Sequence, residues 1–158
     1  DPDEAGRNVA RLKGSGAVGC NFEDQVVGGE GLHTLALQIR RIEAIRNAVG
    51  DDFFINARTD LFLKTQTHDD ALVDRVVERG KAFADARASG FCVRRLADPR
   101  QIERVFREVP LPLNVIAFPG APPKREWASA GVARISHGPF PHRALMARLE
   151  EMANAAIH

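Results

Sequence analysis

Five short apolar runs recur along the sequence, and a helix-forming stretch follows each of them. Runs of this length predict β-strands, which we place at 17–22, 53–57, 91–93, 113–117 and 132–136. Another helix precedes the first run, and strict alternation of helices and strands is typical of a parallel sheet with right-handed crossovers. The sequence therefore predicts an α/β fold of the (β/α) type, with about five βα units in a single domain, 1–158.

Capping residues mark the beginning of several helices. Asp1-Pro2 and Asp98-Pro99 each place a capping acid directly before a proline, an order that favours the first helical turn. The apolar spacing after Asp98 predicts that Phe106 is buried. A last helix is predicted at 141–158, with one apolar stripe that comprises Leu145, Leu149, Met152 and Ala156.

Charge and apolar patterning exclude several classes of partner. The net charge is +1, from 22 Lys and Arg residues against 21 Asp and Glu residues, so a nucleic-acid or anionic-lipid surface is not expected. No apolar stretch is long enough to span a membrane. Cys20 and Cys92 lie in predicted strands, which predicts buried free thiols and, by default, a cytoplasmic protein.

Polar residues concentrate where the predicted strands end. In parallel α/β folds these carboxyl ends meet at one edge of the sheet and form the functional site. The amino ends carry glycine and proline turns instead, and this asymmetry predicts an enzyme or a small-ligand binder. The residues at or near the carboxyl ends are Glu23, Asp24, Arg58, Asp60, Arg94, Asn114, Ser136 and His137.

The adjacent carboxylates Glu23 and Asp24 allow two interpretations. They could bind a divalent cation such as magnesium, directly or through water. Alternatively, they could pair with a neighbouring arginine or cap the next element. Since adjacent residues of a strand point to opposite faces, we expect only one of the two to face the site.

Arg58 and Asn114 also leave alternatives open. The Arg58 guanidinium could clamp a carboxylate or phosphonate through two parallel hydrogen bonds, or form a salt bridge to Glu23 or Asp60. Asn114 lies inside a predicted strand, where its amide needs hydrogen-bond partners. Either a substrate or the backbone of a neighbouring strand could supply them.

Two further candidates lie in loops. His33 follows the glycine-rich stretch 28–31 and could act as a general acid or base, although an ordinary loop histidine is the favoured interpretation. Ser136 begins a turn that could bind an anion. The favoured interpretation of that turn is a simple connection to the last helix.

Several motifs together resemble one enzyme family. The run 16–24 is similar to the fourth-strand segment of the isocitrate lyase/phosphoenolpyruvate mutase superfamily. The similarity extends over nearly the whole chain and is greatest to short bacterial members that are phosphonomutase-like. It continues in order through 41–42, 56–60, 98–99, 113–115 and 131–136.

The resemblance implies a TIM-type barrel and a reaction that makes or breaks a C–C or P–C bond in a small 2-oxo or phosphono acid, through an enolate. It implies that Glu23 holds magnesium through water, and that Arg58 binds the substrate and stabilises its developing charge. Asn114 is the second substrate-binding candidate, and Asp24, Asp60, His33 and Ser136 remain less specific candidates. The resemblance also implies a homotetramer in which subunits exchange the helix at 141–158.

Two departures from the family pattern limit this expectation. The chain resembles a carboxyl-terminal portion of the barrel, without the first three strands and their acidic metal-binding motif, so the main magnesium ligands are expected upstream. In the loop after Asp24, Gly31 stands where the lyase branch has its acid/base cysteine, and Arg94-Arg95 replace a proline-glycine pair. The alternative function is a catalytically inactive truncated homologue that serves as a ligand-binding or assembly module.

Overall fold

The computed structural model describes residues 1–157 and contains a five-stranded parallel sheet. The strand order is β1-β2-β3-β4-β5, so each strand pairs with its neighbours in the sequence. This arrangement confirms the predicted α/β class with parallel strands. The strands are β1 (Gly19–Glu23), β2 (Phe54–Thr59), β3 (Gly90–Val93), β4 (Leu113–Ile116) and β5 (Arg134–Ser136).

One helix precedes the first strand, and at least one helix follows each of the five strands. They are α1 (Pro2–Gly14), α2 (Leu35–Val49), α3 (Leu61–Lys64), α4 (Asp70–Asp85), α5 (Pro99–Glu108), α6 (Lys124–Ser129) and α7 (Phe140–Ile157). The predicted caps are confirmed, because Asp1 and Asp98 accept hydrogen bonds from the first turns of α1 and α5. None of the helices within residues 1–157 is long and apolar enough to cross a membrane.

The core lies between one face of the sheet and the helices. Strand residues on this face alternate with those on the other, and they pack against buried apolar side chains of α4, α5 and α6. A smaller cluster lies beneath α1 and α2. Helix α1 approaches α2 closely at Gly6, where a Cβ would lie 2.9 Å from the carbonyl oxygen of Ala44. The strand residues of the larger cluster are Ala57, Phe91, Val93, Leu113 and Val115.

The opposite face of the sheet, which we call the inner face, is mostly polar. Paired residues of parallel strands project from the same face, and the register aligns Asn21 with Asn56 and Glu23 with Arg58. Gly90 leaves room on this face for the ring of Phe54, because a Cβ at position 90 would lie 2.9 Å from that ring. The inner face comprises Asn21, Glu23, Asn56, Arg58, Cys92, Asn114, Arg134 and Ser136.

The structure differs from the sequence prediction in several places. Strand β1 begins two residues later than predicted, and Val18 is 83% exposed. Phe106 is 49% exposed, so its predicted burial is wrong; its ring instead lies over Gly131 at the end of α6. Both cysteines are free, but only Cys92 is fully buried, whereas Cys20 is half-buried at the edge strand.

Candidate functional site

A cluster of three ionised side chains lies at the carboxyl ends of β1 and β2. Arg58 donates from Nε and Nη2 to the two carboxylate oxygens of Asp60, at 2.7 and 2.6 Å. Its Nη1 lies 2.8 Å from Glu23 Oε2. The parallel register places Glu23 beside Arg58 on the inner face, and the chain turns after Thr59 to bring Asp60 beneath the same guanidinium. We call this group the Arg58 cluster.

The Arg58 cluster carries two negative charges against one positive charge. Burial alone would lower the pKa of Arg58, but the hydrogen bonds that it donates to Asp60 and the charges of Asp60 and Glu23 raise it above its ordinary value. The arginine is therefore permanently charged; two of its five N–H groups donate to Asp60, and its Nη1 lies within ion-pair distance of Glu23. Both salt bridges considered from the sequence, to Glu23 and to Asp60, are present.

Asp24 is fully buried on the other side of the strand end from Glu23. Its Oδ1 accepts from the backbone N–H of Asp60 at 3.0 Å, and its Oδ2 pairs with Arg79 of α4 at 3.2 Å. Burial raises the pKa of Asp24, although these contacts oppose the shift. Because both oxygens are engaged, Asp24 joins the ends of β1 and β2 to α4. Nothing in the sequence pattern identified Arg79 as its partner.

An amide network crosses the middle of the inner face. Asn56 donates from Nδ2 to the side-chain oxygens of Asn21 and Asn114, at 2.7 and 2.8 Å. Asn114 donates from its own Nδ2 to the carbonyl oxygens of Val115 and Arg134. The backbone bridge considered for Asn114 is therefore present. Asn56 was missed as a site residue, although an asparagine inside an apolar strand was a signal that could have identified it.

Ser136 lies within this network and not in a separate turn. Its hydroxyl is 3.2 Å from the side-chain oxygen and from the side-chain nitrogen of Asn114. These contacts connect β5 to β4 on the inner face. The structure thus brings Ser136 next to Asn114, whereas two strands, β3 and β4, separate Ser136 from Arg58 on β2.

The loop that carries His33 is anchored at both ends. Gln25 and Leu32 form an isolated antiparallel bridge, and the backbone N–H of His33 donates to the carbonyl oxygen of Asp24 at 2.8 Å. Burial and the nearby Arg41 guanidinium lower the pKa of His33, so its imidazole is neutral at neutral pH. The contact of His33 with the end of β1 is made by its backbone, so a role of its side chain as a general acid or base stays a prediction.

The described residues do not provide a full coordination sphere for magnesium, but one carboxylate could hold the ion through water. Within residues 1–157, no group of three or more His, Cys, Asp and Glu side chains could hold a metal ion. Glu23 is partly exposed and uses one oxygen for Arg58, so its other oxygen can accept a hydrogen bond from water. The negative balance of the Arg58 cluster also favours a cation nearby. These residues fit a magnesium ion held through water.

Comparison with known proteins gives one consistent family. The family model described as phosphoenolpyruvate phosphomutase matches residues 1–157. A crystal structure of a Burkholderia cenocepacia protein assigned as a phosphonomutase superposes with a TM-score of 0.93 at 38% identity; the match covers 98% of this chain and 64% of that chain.

Two curated relatives also align with most of the chain. A protein of Mycobacterium tuberculosis is 31% identical over 144 residues, which are 91% of this chain and 52% of the relative. A Corynebacterium glutamicum protein assigned as a 2-methylisocitrate lyase is 33% identical over 121 residues, which are 72% of this chain and 38% of the relative. The chain therefore spans about half or less of the length of these relatives.

Proposed function

The chain belongs to the phosphoenolpyruvate phosphomutase family, and we propose that it forms part of a magnesium-dependent enzyme acting on a small 2-oxo or phosphono acid. The family suggested by the sequence motifs is confirmed by this match. The proposed reaction makes or breaks a C–C or P–C bond next to a carbonyl, and its intermediate is an enolate. The observation that carries the proposal is the Arg58 cluster, at the carboxyl edge of a parallel sheet.

Arg58 is proposed to bind the substrate and to stabilise negative charge that develops on its oxygen. Asp60 fixes the guanidinium from one side with two short hydrogen bonds, so the group is oriented before the substrate arrives. The N–H groups that do not donate to Asp60 belong to the same rigid, planar guanidinium, so their directions are fixed as well. This arrangement supports an electrostatic role without any movement of Arg58.

Glu23 is proposed to hold magnesium through water. When bound, magnesium would polarise the oxygen atoms of the substrate and neutralise part of its charge. Glu23 would accept hydrogen bonds from the hydration shell of the ion, and its contact with Arg58 would hold the carboxylate in place. Asn114 and Ser136 would define the floor of the site on the inner face, where Asn56 fixes the amide of Asn114.

Calorimetric titration with oxalate, a compact mimic of the enolate, tests the proposal. In the whole enzyme of which we propose this chain is a part, we expect binding that depends on magnesium and that weakens about 10- to 100-fold in Glu23→Gln, the range for residues that orient a metal's ligands. Glu108→Gln is the matched control, because Glu108 also pairs with an arginine but lies on the surface of α5.

Oxalate that binds equally with and without magnesium, or fails to bind at millimolar concentration, would refute the proposal. The second outcome would favour the alternative function, a catalytically inactive homologue that serves as a ligand-binding or assembly module. That alternative draws on one feature of the described residues, namely the missing inner set of metal ligands.

A further inference from the structure

A pocket of about 260 Å³ opens at the same edge of the sheet as the Arg58 cluster. The segments that follow β2, β3, β4 and β5 each contribute to its wall, so it is built from four consecutive strand ends. Its volume equals that of roughly nine water-sized groups, which suits part of a small metabolite. The pocket is lined by Leu63, Arg94, Arg95, Ile116, Phe118, Pro119 and Phe140.

The pocket combines an apolar wall with two cationic groups. Among the described residues, no carboxylate forms an ion pair with Arg94 or Arg95. Arg58, in contrast, is already surrounded by two carboxylates. The pocket therefore adds positive charge at this edge that no neighbouring carboxylate neutralises, next to the positive charge of Arg58.

Arg94 lies at the same end of the sheet as the Arg58 cluster. It is in the turn directly after β3, and its backbone N–H donates to the carbonyl oxygen of Thr59, the last residue of β2, at 3.4 Å. Burial raises the pKa of the Cys92 thiol to about 11, while the nearby guanidinium groups of Arg58 and Arg94 oppose that shift. The charges of both arginines therefore influence the same thiol. The pocket and the Arg58 cluster thus adjoin each other along the carboxyl edge of the sheet.

Arg95 occupies a backbone conformation that favours glycine. Its φ is 65°, and among the described residues only one other non-glycine residue, Arg87, has a positive φ. A side chain in this region crowds the following carbonyl group. Unusual backbone of this kind is concentrated at ligand sites, where the geometry of a side chain matters more than local stability.

We propose that Arg94 and Arg95 bind the anionic group at the far end of the substrate, with a short alkyl segment against the apolar wall. This inference rests on the proposed function and narrows its substrate class to acids that carry a second carboxylate or phosphonate beyond an apolar spacer. A compact acid without that second group would contact the Arg58 cluster alone.

Titration calorimetry with two probes in the presence of magnesium tests the inference. Oxalate represents the compact acid, and 2-oxoglutarate adds a carboxylate after two methylene groups. We expect Arg94→Gln and Arg95→Gly each to weaken 2-oxoglutarate binding about tenfold or more, because a charge-assisted hydrogen bond is lost. Oxalate binding should change less than about twofold by the same arithmetic.

Arg87→Gly is the matched control for Arg95→Gly. Both substitutions remove an arginine at positive φ, but Arg87 lies at the end of α4 beside Asn47, away from the pocket. Both should keep the native circular dichroism spectrum, and only Arg95→Gly should weaken 2-oxoglutarate binding.

The two proposals fail in different ways. Unchanged 2-oxoglutarate affinity in both pocket variants would overturn the pocket assignment, and magnesium-dependent oxalate binding would still support the proposed function. Oxalate that does not bind, with 2-oxoglutarate affinity that still depends on Arg94, would overturn the proposed function and support the anion pocket. Failure of both probes to bind the unmodified protein would overturn both.

Discussion

Removal of the Arg58 side chain should destabilise the protein strongly. Asp60 is fully buried, and two of its hydrogen bonds come from Arg58, at 2.7 and 2.6 Å. The substitution Arg58→Gln leaves the Asp60 carboxylate without its counter-charge, which costs about 3–5 kcal/mol for a buried pair. For a chain of this length, that loss lowers the thermal midpoint by roughly 6–20 °C.

The measurement is thermal and urea denaturation followed by circular dichroism, with Arg104→Gln as the matched control. Arg104 also contacts two carboxylates, Asp74 and Glu108, but all three groups lie on the surface. Solvent screens such pairs, so this variant should leave the midpoint nearly unchanged. Equal shifts in the two variants would refute the argument that burial of Asp60 decides the cost.

A second substitution separates charge from shape. Adding Asp60→Asn to Arg58→Gln replaces the buried carboxylate by a neutral amide. The double variant should therefore regain about 1–3 kcal/mol of the unfolding free energy that Arg58→Gln loses, which is the size of the coupling between residues in contact. Additive losses would show that Arg58 stabilises the fold by packing alone. The experiment also bears on function, because an inactive Arg58 variant is informative only when its folded fraction is known.

Two other predictions concern stability at high pH and assembly. Because burial raises the pKa of Cys92 from 9.0 to about 11, the stability it contributes is complete below pH 9.0 and is lost as the pH rises through about 11. This loss is about 3 kcal/mol at most. In urea denaturation between these pH values, the unfolding free energy of Cys92→Ala should therefore decline less steeply than that of the unmodified protein. Equal declines in the two proteins would contradict a raised pKa of Cys92. Helix α7 has no buried residue, and Leu149 is 58% exposed on its apolar stripe, so Leu149→Glu should dissociate an oligomer in light scattering, whereas Leu12→Glu on α1 should not. A monomer that is unaffected by Leu149→Glu would contradict exchange or packing of α7 between subunits.

The sequence was sufficient to predict the fold class, because the spacing of its apolar residues indicates directly which segments form strands and which form helices. Alternating strands and helices predicted the parallel sheet, and capping acids placed the starts of α1 and α5. Strand ends were less predictable, since Arg58 and Thr59 are polar and were placed after β2. They belong to the strand because pairing with β1 and β3 satisfies their backbone groups.

The site was predictable in its location but not in its contacts. The rule that polar residues gather at carboxyl ends located Glu23, Arg58 and Asp60, and the pleat explained why Asp24 faces away from Glu23. The partner of Asp24 could not be predicted, because Arg79 reaches it from α4 across a long stretch of chain. Contacts of this kind depend on how the helices pack, and local spacing does not encode that packing.

The amide network on the inner face has a consequence for how the strands find their alignment. A shift of β2 by one residue against β1 would turn every side chain of β2 to the opposite face. Asn56 would then lose Asn21 and Asn114, and Arg58 would be forced among the apolar side chains beneath the helices. Misaligned pairings are therefore penalised on both faces of the sheet at once. The polar groups that are proposed to bind the substrate therefore also favour the correct register of the strands during folding.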